Sequence, residues 1–236
     1  LNEKKIDLGK PDIILYLAGI SPGPANNIEN KNLNIMDILH SKSISYILNN
    51  TKEVKKFVYF SSGIYYLLDN YSDYRKSRLI GEANVQIQSK TFNFDYLIIR
   101  NMEIYGKYMA KHKIYRRLCE MAKNNVNEIN ISGDGTNLID TMYIDDYIDI
   151  IIKILKSNVK NKIIDVSRSK PVTIKNLIKM IYKIYNINLP KINFSSNPTE
   201  NTKFVLDNSK MIRSFEIKPK ISLEEGLRKW IKRGLK

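Results

Sequence analysis

The sequence has very little cysteine and histidine. Cys119 is the single cysteine among 236 residues, and His40 and His112 are the two histidines. One cysteine cannot form an intrachain disulfide, and no second cysteine or histidine lies at the spacing that metal sites use. The sequence therefore predicts no metal site. It predicts helix packing for the cysteine and structural or surface positions for the histidines.

Long apolar runs are also missing. No stretch approaches the roughly 20 apolar residues that a membrane-spanning helix needs, and residues 1–10 lack the apolar core of a signal peptide. The sequence is 43% hydrophobic and 27% charged, which is ordinary for a globular chain. We therefore expect a folded cytoplasmic protein with no membrane partner.

Charge of one sign is in excess, because 39 Lys and Arg residues face 24 Asp and Glu residues and give a formal net charge of +15. A charge of this size is typical of proteins that bind nucleic acid, because Lys and Arg neutralise phosphates. The positive residues are spread over every predicted helix, which is typical of solvated lysine faces. We expect no nucleic-acid partner. The alternative would require the lysines to fall on one face.

Strands and helices alternate in the first part of the sequence. Residues 12–19, 55–62 and 94–100 are apolar runs that are typical of buried parallel strands. Helical spacing of apolar residues fills the intervals at 34–50 and 74–89. This alternation predicts an α/β fold with a doubly wound parallel sheet.

Further helices and strands are predicted toward the C-terminus. The helices are expected at residues 113–124, 141–156, 173–185 and 223–233, and the strands at 128–132 and 162–166. Thr173 and Ser222 have the side chains that cap helix N-termini. Residues 133–135 are predicted to form a turn and not a phosphate loop, because a third glycine and a strand-to-helix context are absent.

A tyrosine and a cation stand one helical turn apart near the start of the helix at 74–89. Tyr74 and Arg78 are four residues apart, so they share a helix face. A tyrosine of ordinary pKa, about 10, acts as an acid or base at neutral pH only where a positive charge stabilises the phenolate. A serine at the adjacent strand end, Ser62 or Ser61, would hydrogen-bond the same substrate oxygen. These residues predict a proton-transfer site.

Six segments occur in the order that is seen in one enzyme family. They are residues 15–19, 57–66, 74–82, 100–106, 133–136 and 143–146, and the tail agrees at 207–210 and 218–227. On these motifs the sequence resembles the NAD-dependent epimerase/dehydratases, which are extended short-chain dehydrogenase/reductases. The resemblance implies a Rossmann-like cofactor-binding domain at residues 1–165 and a small C-terminal substrate-binding lobe at 166–236. Residues 133–165 would contribute to both.

The resemblance also implies roles for individual residues. Tyr74 would be the general acid/base, Arg78 its cation, and Ser62 would orient the sugar oxygen. NAD or NADP would exchange hydride with a nucleotide-sugar substrate. The implied cofactor contacts are Leu17, Ala18, Gly19, Ser61, Tyr74, Arg78 and Arg100, and the implied substrate contacts are Ser62, Glu103 and Lys203.

The sequence departs from the family's pattern at four points. Arg78 replaces the family's lysine, Glu103 replaces an asparagine near the substrate phosphates, and Ile139 replaces an arginine that grips the nucleotide. No glycine-rich fingerprint is present, so we expect an N-terminal βαβ unit to be missing.

These features predict a nucleotide-sugar epimerase or reductase. A dehydratase would place an Asp-Glu pair directly after the serine, where this sequence has Gly63 and Ile64. The alternative is a degenerate, non-catalytic family member that binds a nucleotide or a protein partner. The helices near Asp37 and Tyr74 resemble those that pair in the family's dimers, which predicts a homodimer.

Overall fold

The structure is a computed structural model that describes residues 7–19, 38–63, 73–195 and 205–235, and these fall into two units. The first unit contains the described residues up to Asn101 together with Asn158–Asp165, and the second contains Met102–Ser157 and the described residues from Val166 onward. The border after residue 165 coincides with the predicted domain boundary. Residues 102–157, however, lie in the second unit and not in the N-terminal domain to which the sequence assigns most of them.

A four-stranded sheet forms the centre of the first unit. Its strands are β1 (Ile13–Tyr16), β2 (Lys56–Ser62), β3 (Asp95–Asn101) and β8 (Lys162–Val166), in the order β1-β2-β3-β8. Both β1 and β3 pair with β2 in parallel. Parallel strands need long crossover connections. These contain a π-helical turn (Ile38–Lys42) that leads into α1 (Ser43–Asn49), and α2 (Asp73–Phe92).

Apolar side chains from the sheet and both helices form the core of this unit. Side chains alternate between the two faces of a strand, so Phe57, Tyr59 and Ser61 of β2 share one face. Phe57 and Tyr59 pack there against Ile44 of α1 and Val85 of α2. These residues therefore lie on the face of the sheet that packs against α1 and α2. Ser61 lies on the same face.

The second unit combines short strand pairs with helices. β4 (Glu103–Tyr105) pairs in parallel with β7 (Thr141–Tyr143), β5 (Glu128–Ile131) in parallel with β10 (Lys191–Phe194), and β6 (Leu138–Ile139) antiparallel with β9 (Val172–Thr173). The helices are α3 (Ile114–Lys123), α4 (Ile144–Lys156), α5 (Ile174–Tyr185), α6 (Ser209–Phe215) and α7 (Leu223–Lys232). The helix predicted from residue 141 therefore begins at Ile144, because the three residues before it form a strand.

Aromatic side chains lie at the centre of the second unit's core. The ring of Tyr105 stacks on Tyr115 with 5.2 Å between centroids, and its centroid lies 5.4 Å from Tyr143 and 6.1 Å from Trp230. All four side chains are fully buried. Cys119 of α3 is buried in the same cluster, which confirms its predicted packing role.

Side-chain caps begin two of the helices. The Thr173 hydroxyl accepts a hydrogen bond from the Asn176 amide at the start of α5, and Ser222 accepts one from the Glu225 amide at the start of α7, both at 3.2 Å. Each bond satisfies an amide that has no partner within its helix. Both predicted caps are confirmed.

Candidate active site

Tyr74 and Arg78 lie in the first two turns of α2. The guanidinium carbon of Arg78 is 5.1 Å from the centre of the Tyr74 ring, which is a cation–π contact across one helical turn. Tyr74 is half-buried. The structure therefore brings together the tyrosine and the cation that the sequence pairs.

The Arg78 guanidinium is held at the carboxyl edge of the sheet. Its Nη1 donates a hydrogen bond to the carbonyl oxygen of Phe60 at 3.0 Å. A Cβ added to Gly19 would lie 2.4 Å from Nη2, so a residue other than glycine would displace the guanidinium. One positive charge thus lies against the segment after β1, the end of β2 and the helix that contains Tyr74.

The segment that follows β1 is open to solvent. Leu17 is 66% exposed, and Ala18 and Gly19 are exposed as well. Small residues at the carboxyl end of a parallel strand allow a ligand to approach the backbone closely. These three predicted cofactor contacts are therefore accessible, and they lie next to the charge on Arg78.

Glu82, two turns after Tyr74, is the centre of a buried charged cluster. Arg100 donates to it twice, from Nε to Oε1 at 2.9 Å and from Nη2 to Oε2 at 2.5 Å. The Ser61 hydroxyl donates to Oε1 at 2.5 Å. The side chains of Arg100 and Glu82 are only 8% and 4% exposed. We call Ser61, Glu82 and Arg100 the Glu82 cluster.

The Glu82 cluster contains two of the predicted cofactor contacts, whose contact with a cofactor stays a prediction. Ser61 and Arg100 are buried, and their donors are directed at Glu82, because a buried carboxylate requires hydrogen-bond partners. Ser62 is half-buried and lies opposite Asn101 in register. Strand alternation turns its side chain to the face opposite Ser61, so its contact with a substrate oxygen stays a prediction.

His40 is buried near this edge of the sheet. Its Nδ1 lies 2.9 Å from the hydroxyl oxygen of Tyr59, and the two rings meet edge to face. Burial lowers the pKa of His40 to about 4, and the positive charge of Arg78 acts in the same direction. The imidazole is therefore neutral at neutral pH. A structural position for His40, one of the two predicted alternatives, is confirmed.

The predicted substrate contacts outside the first unit have different surroundings. Glu103 forms an ion pair with Lys113 at 3.3 Å, and the charge of the lysine offsets the repulsion that a lone carboxylate would exert on a diphosphate. Ile139, at the position where the family has an arginine, packs against the apolar core of the second unit. Lys203 lies outside the described residues.

A cavity of about 180 Å³ lies between α3, β5 and the start of α5 in the second unit. Its walls are largely apolar, with one arginine and two polar side chains at the β5 end. The lining residues are Ile114, Arg117, Leu118, Met121, Asn130, Ile131, Ser132 and Ile174. Apolar walls with a few polar groups are typical of sites for small organic ligands.

Two further features concern metals and membranes. Among the described residues, no group of three or more His, Cys, Asp and Glu side chains is arranged to hold a metal ion. Within the same residues, no helix has the length and apolar character that crossing a membrane requires.

The sequence alone gives no role to Glu82 or Tyr59. For Glu82, however, the sequence contains a pattern that indicates a buried ion pair. Glu82 stands four residues after Arg78, on the stripe of α2 that turns toward the sheet. A carboxylate on a buried stripe requires a cation, and Arg100 at the end of the neighbouring strand supplies it. The hydrogen-bond partner of Tyr59 is His40, which is 19 residues away in the sequence. No local pattern in the sequence indicates this contact.

A family model described as the NAD dependent epimerase/dehydratase family matches residues 2–167, more than half of the chain. The chain therefore belongs to the NAD-dependent epimerase/dehydratase family. This confirms the predicted family. Because its members are epimerases and dehydratases that act with NAD, the match also supports an enzyme of this class.

Known relatives are about 25% identical to the chain over the aligned residues. It is 25% identical over 159 residues to an uncharacterized protein of Methanocaldococcus jannaschii, covering 66% of this chain and 48% of that protein. It is 25% identical over 162 residues to "Probable GDP-L-fucose synthase 1" of Oryza sativa subsp. japonica, covering 65% of this chain and 49% of that protein. The chain spans about half the length of these curated relatives.

A solved structure has the same fold over nearly the whole chain. It is the UDP-glucuronic acid 4-epimerase from Bacillus cereus in complex with UDP-glucuronic acid and NAD. The TM-score is 0.81 and the identity is 25%, with 94% of this chain and 76% of the other covered. This similarity confirms the predicted Rossmann-like α/β fold.

Proposed function

We propose that this chain contains the proton-transfer site of a nucleotide-sugar epimerase or reductase. The observation that supports the proposal most directly is the guanidinium of Arg78, which lies 5.1 Å from the centre of the Tyr74 ring at the carboxyl edge of the sheet. A positive charge there stabilises the negative charge that develops on a phenol as it releases its proton. Tyr74 would exchange that proton with a sugar hydroxyl or keto oxygen, and Ser62 would orient the same oxygen.

The accessible segment after β1 fits the cofactor that the family uses. Leu17, Ala18 and Gly19 would line the approach of NAD or NADP, and Arg78 would face its ribose. When bound, the cofactor accepts hydride from the sugar or donates hydride to it. The sequence has no glycine-rich fingerprint, so we assign pyrophosphate binding to no residue.

The cavity of the second unit suits the nucleotide part of the substrate. A base is flat and has polar edges, which matches apolar walls from Ile114 and Leu118 and the polar groups of Asn130 and Ser132. Arg117, exposed at the same cavity, offers a cation for the phosphates. Glu103 and Lys203 remain proposed substrate contacts.

An exposed apolar stripe on α2 supports a homodimer. Ile80, Ala83 and Ile87 lie three and four residues apart and are exposed, with Ile87 64% exposed. Tyr46 of α1 is also partly exposed. Such stripes are typical of helix pairing between subunits. Light scattering on an Ile87→Lys variant tests this proposal, and a wild-type protein that is monomeric at micromolar concentration contradicts it.

One observation favours the alternative of a non-catalytic family member. The guanidinium of Arg78 is bonded to the Phe60 carbonyl and packed against Gly19, so part of its donor capacity is used inside the protein. A site built in this way holds three chain segments together without any chemistry. The alternative retains the fold and loses cofactor binding or turnover.

Binding and turnover separate the two proposals. Calorimetric titration of the full-length gene product with NAD and with NADP tests the cofactor, and absence of binding to both leaves only the non-catalytic alternative. Where binding occurs, NMR of incubations with UDP-glucose, UDP-glucuronic acid and GDP-linked sugars detects epimerised product with the oxidised cofactor, or reduced product with NADH or NADPH.

The tyrosine is tested by a variant that lacks only its hydroxyl. We expect Tyr74→Phe to lower turnover by roughly 10²- to 10⁴-fold, which is the contribution of one acid/base group. Tyr108→Phe, which alters a strongly exposed tyrosine, is the matched control and should retain wild-type turnover. Full turnover by Tyr74→Phe would contradict the assignment of the acid/base group.

A further inference from the structure

The Glu82 cluster joins α2 to two neighbouring strands at a single level. Ser61 of β2 and Arg100 of β3 are directly opposite each other in the parallel register, and both reach Glu82. The next register pair consists of Ser62 and Asn101, at the end of both strands. The cluster therefore lies one residue below the edge where the proposed substrate serine is found.

The same helix presents Tyr74, Arg78 and Glu82 at intervals of four residues. In an α-helix these positions lie on one side, and Glu82 is about 12 Å along the axis from Tyr74. A helix with one fixed point can still rotate and slide by small amounts. The bond from Arg78 to the Phe60 carbonyl joins α2 to β2, and the bond from Asn84 to the Ser41 carbonyl joins it to the π-helical turn. Glu82 joins α2 to β2 and β3 together.

The bonds of the Glu82 cluster are strong and directional. Two parallel bonds join the guanidinium to both oxygens of the carboxylate, and such bidentate ionic pairs fix orientation as well as distance. The third bond, from Ser61, shares Oε1 with the guanidinium. Burial excludes water that could take over these bonds if the helix moved.

We propose that Glu82 is a positioning residue, which fixes the rotation and height of α2 and thereby places Tyr74 and Arg78 relative to the ends of β2 and β3. The inference rests on the proposed function for its effect on turnover. It has a structural consequence that does not depend on any reaction. Loss of the carboxylate charge changes the surroundings of Tyr74 even though the two side chains are two turns apart.

The test compares Glu82→Gln with wild type in the full-length protein. Tyrosine labelled with ¹³C at Cζ gives one NMR signal for each residue, and the Tyr74→Phe variant identifies the Tyr74 signal. We expect Glu82→Gln to shift the Tyr74 signal and to lower kcat for a UDP-sugar by about 10- to 100-fold, the effect of a displacement near 1 Å. KM for the same sugar should stay within about twofold.

Two other variants act as controls. Glu53→Gln makes the same chemical change at an exposed ion pair of the first unit and should alter neither the Tyr74 signal nor kcat. Ser61→Ala removes one of the three bonds and should give an intermediate shift, which keeps the test open if Glu82→Gln fails to fold. The signals are recorded well below the melting temperature of each variant.

The outcomes distinguish this inference from the proposed function. Glu82→Gln and Ser61→Ala variants that are less stable but leave the Tyr74 signal at its wild-type position overturn the positioning role, because the cluster then only stabilises the fold. A wild-type protein that converts no nucleotide-sugar contradicts the proposed function. The NMR comparison still decides the positioning role in that case.

Discussion

In the first unit the Glu82 cluster joins charged side chains to each other, whereas in the second unit buried polar side chains bond to the backbone of distant segments. Asp146 of α4 accepts hydrogen bonds from the amides of Lys220 and Ile221 at 2.9 and 2.6 Å. Asn208 donates to the carbonyl of Ser167 at 3.0 Å. The bonds of the Glu82 cluster orient a carboxylate and a guanidinium, and the bonds of Asp146 and Asn208 hold distant chain segments together.

The cores of the two units also differ in the kinds of side chain that they bury. The first unit buries a histidine and an ion pair beside its apolar residues, close to the candidate site. The second unit fills its centre with tyrosine rings and Trp230. Even a paired buried charge carries a desolvation cost, so an apolar pair of similar volume could be at least as stable as Glu82 and Arg100. The second unit also buries the carboxylates of Asp140 and Asp146, outside its aromatic cluster. The buried ion pair of the first unit lies close to the candidate site, whereas the aromatic core of the second unit consists of uncharged rings.

Removal of Trp230 tests this comparison with the largest expected effect. Trp230→Ala deletes a fully buried side chain of the aromatic core and should lower the free energy of unfolding by about 3–5 kcal/mol. Hydrogen exchange measured by mass spectrometry should show faster exchange in α3, α5 and α7. The strands β2 and β3 should keep their protection.

The same measurement can contradict the view that the two units have separate cores. If β2 and β3 lose protection as much as α7 does, the two units unfold together and their cores cannot be regarded as separate. Trp230→Phe is the control, because it keeps an aromatic ring in the core and should cost less than the alanine variant.

The pH dependence of stability tests the buried histidine of the first unit. The pKa of His40 is about 4 in the folded protein, compared with 6.5 for an ordinary histidine. The unfolded chain therefore binds the proton first as the pH falls. The contribution of neutral His40 to stability is fully present above pH 6.5 and is lost as the pH falls toward 4, by about 3 kcal/mol.

Urea unfolding at pH 7, 5 and 4 measures this loss. The His40→Gln variant should lack the His40 part of the pH dependence, whereas His112→Gln, at an exposed histidine, should retain it. Equal pH dependence in wild type and His40→Gln would show that burial of this imidazole does not govern acid stability in the first unit.

Asp146 tests the role of side chain to backbone bonds in the second unit. Asp146→Asn keeps an oxygen that can accept the amides of Lys220 and Ile221 but removes the charge that strengthens both bonds. We expect a loss of about 2 kcal/mol in the free energy of unfolding. Turnover measured below the melting temperature should not change. Asp149→Asn on the exposed face of α4 should affect neither, and a loss of turnover in Asp146→Asn alone would contradict a purely structural role.

The sequence predicts the regular parts of the fold because their periodicity is strong. β2, β3 and the helices α2 to α5 and α7 begin and end within about three residues of their predicted limits, the start of α4 included. The short strands β4, β6, β7 and β9 contain two or three residues each, too few to show a period of two. Their partners lie far away in the sequence.

The candidate site is predictable where it depends on one element. Tyr74 and Arg78 are recognisable because a spacing of four is a property of any helix. The Glu82 cluster requires the register between β2 and β3, which places Ser61 opposite Arg100. Register follows from tertiary packing and is not encoded in either strand alone, so the structure is needed to assign these two residues to Glu82.

Two helix glycines give the finest test, because each unit places a buried tyrosine hydroxyl against one of them. A Cβ added to Gly81 of α2 would lie 2.1 Å from the hydroxyl oxygen of Tyr59, and a Cβ added to Gly226 of α7 would lie 2.1 Å from that of Tyr105. Alanine in place of glycine favours a helix by up to about 1 kcal/mol. Overpacking costs about 1–3 kcal/mol, so each alanine variant should be less stable by about 1 kcal/mol.

Second substitutions show whether the tyrosine hydroxyl causes this loss. Tyr59→Phe should recover part of the stability of Gly81→Ala, and Tyr105→Phe part of that of Gly226→Ala, with measurable coupling in each double-mutant cycle. Recovery in the first unit should be smaller, because the phenylalanine removes the hydrogen-bond partner of His40, which is buried. Tyr105→Phe removes a bond to the Leu223 carbonyl in the first turn of α7, whose N-terminus Ser222 still caps. Greater recovery in the first unit would reverse the comparison, since its buried polar contacts would then be the more expendable ones.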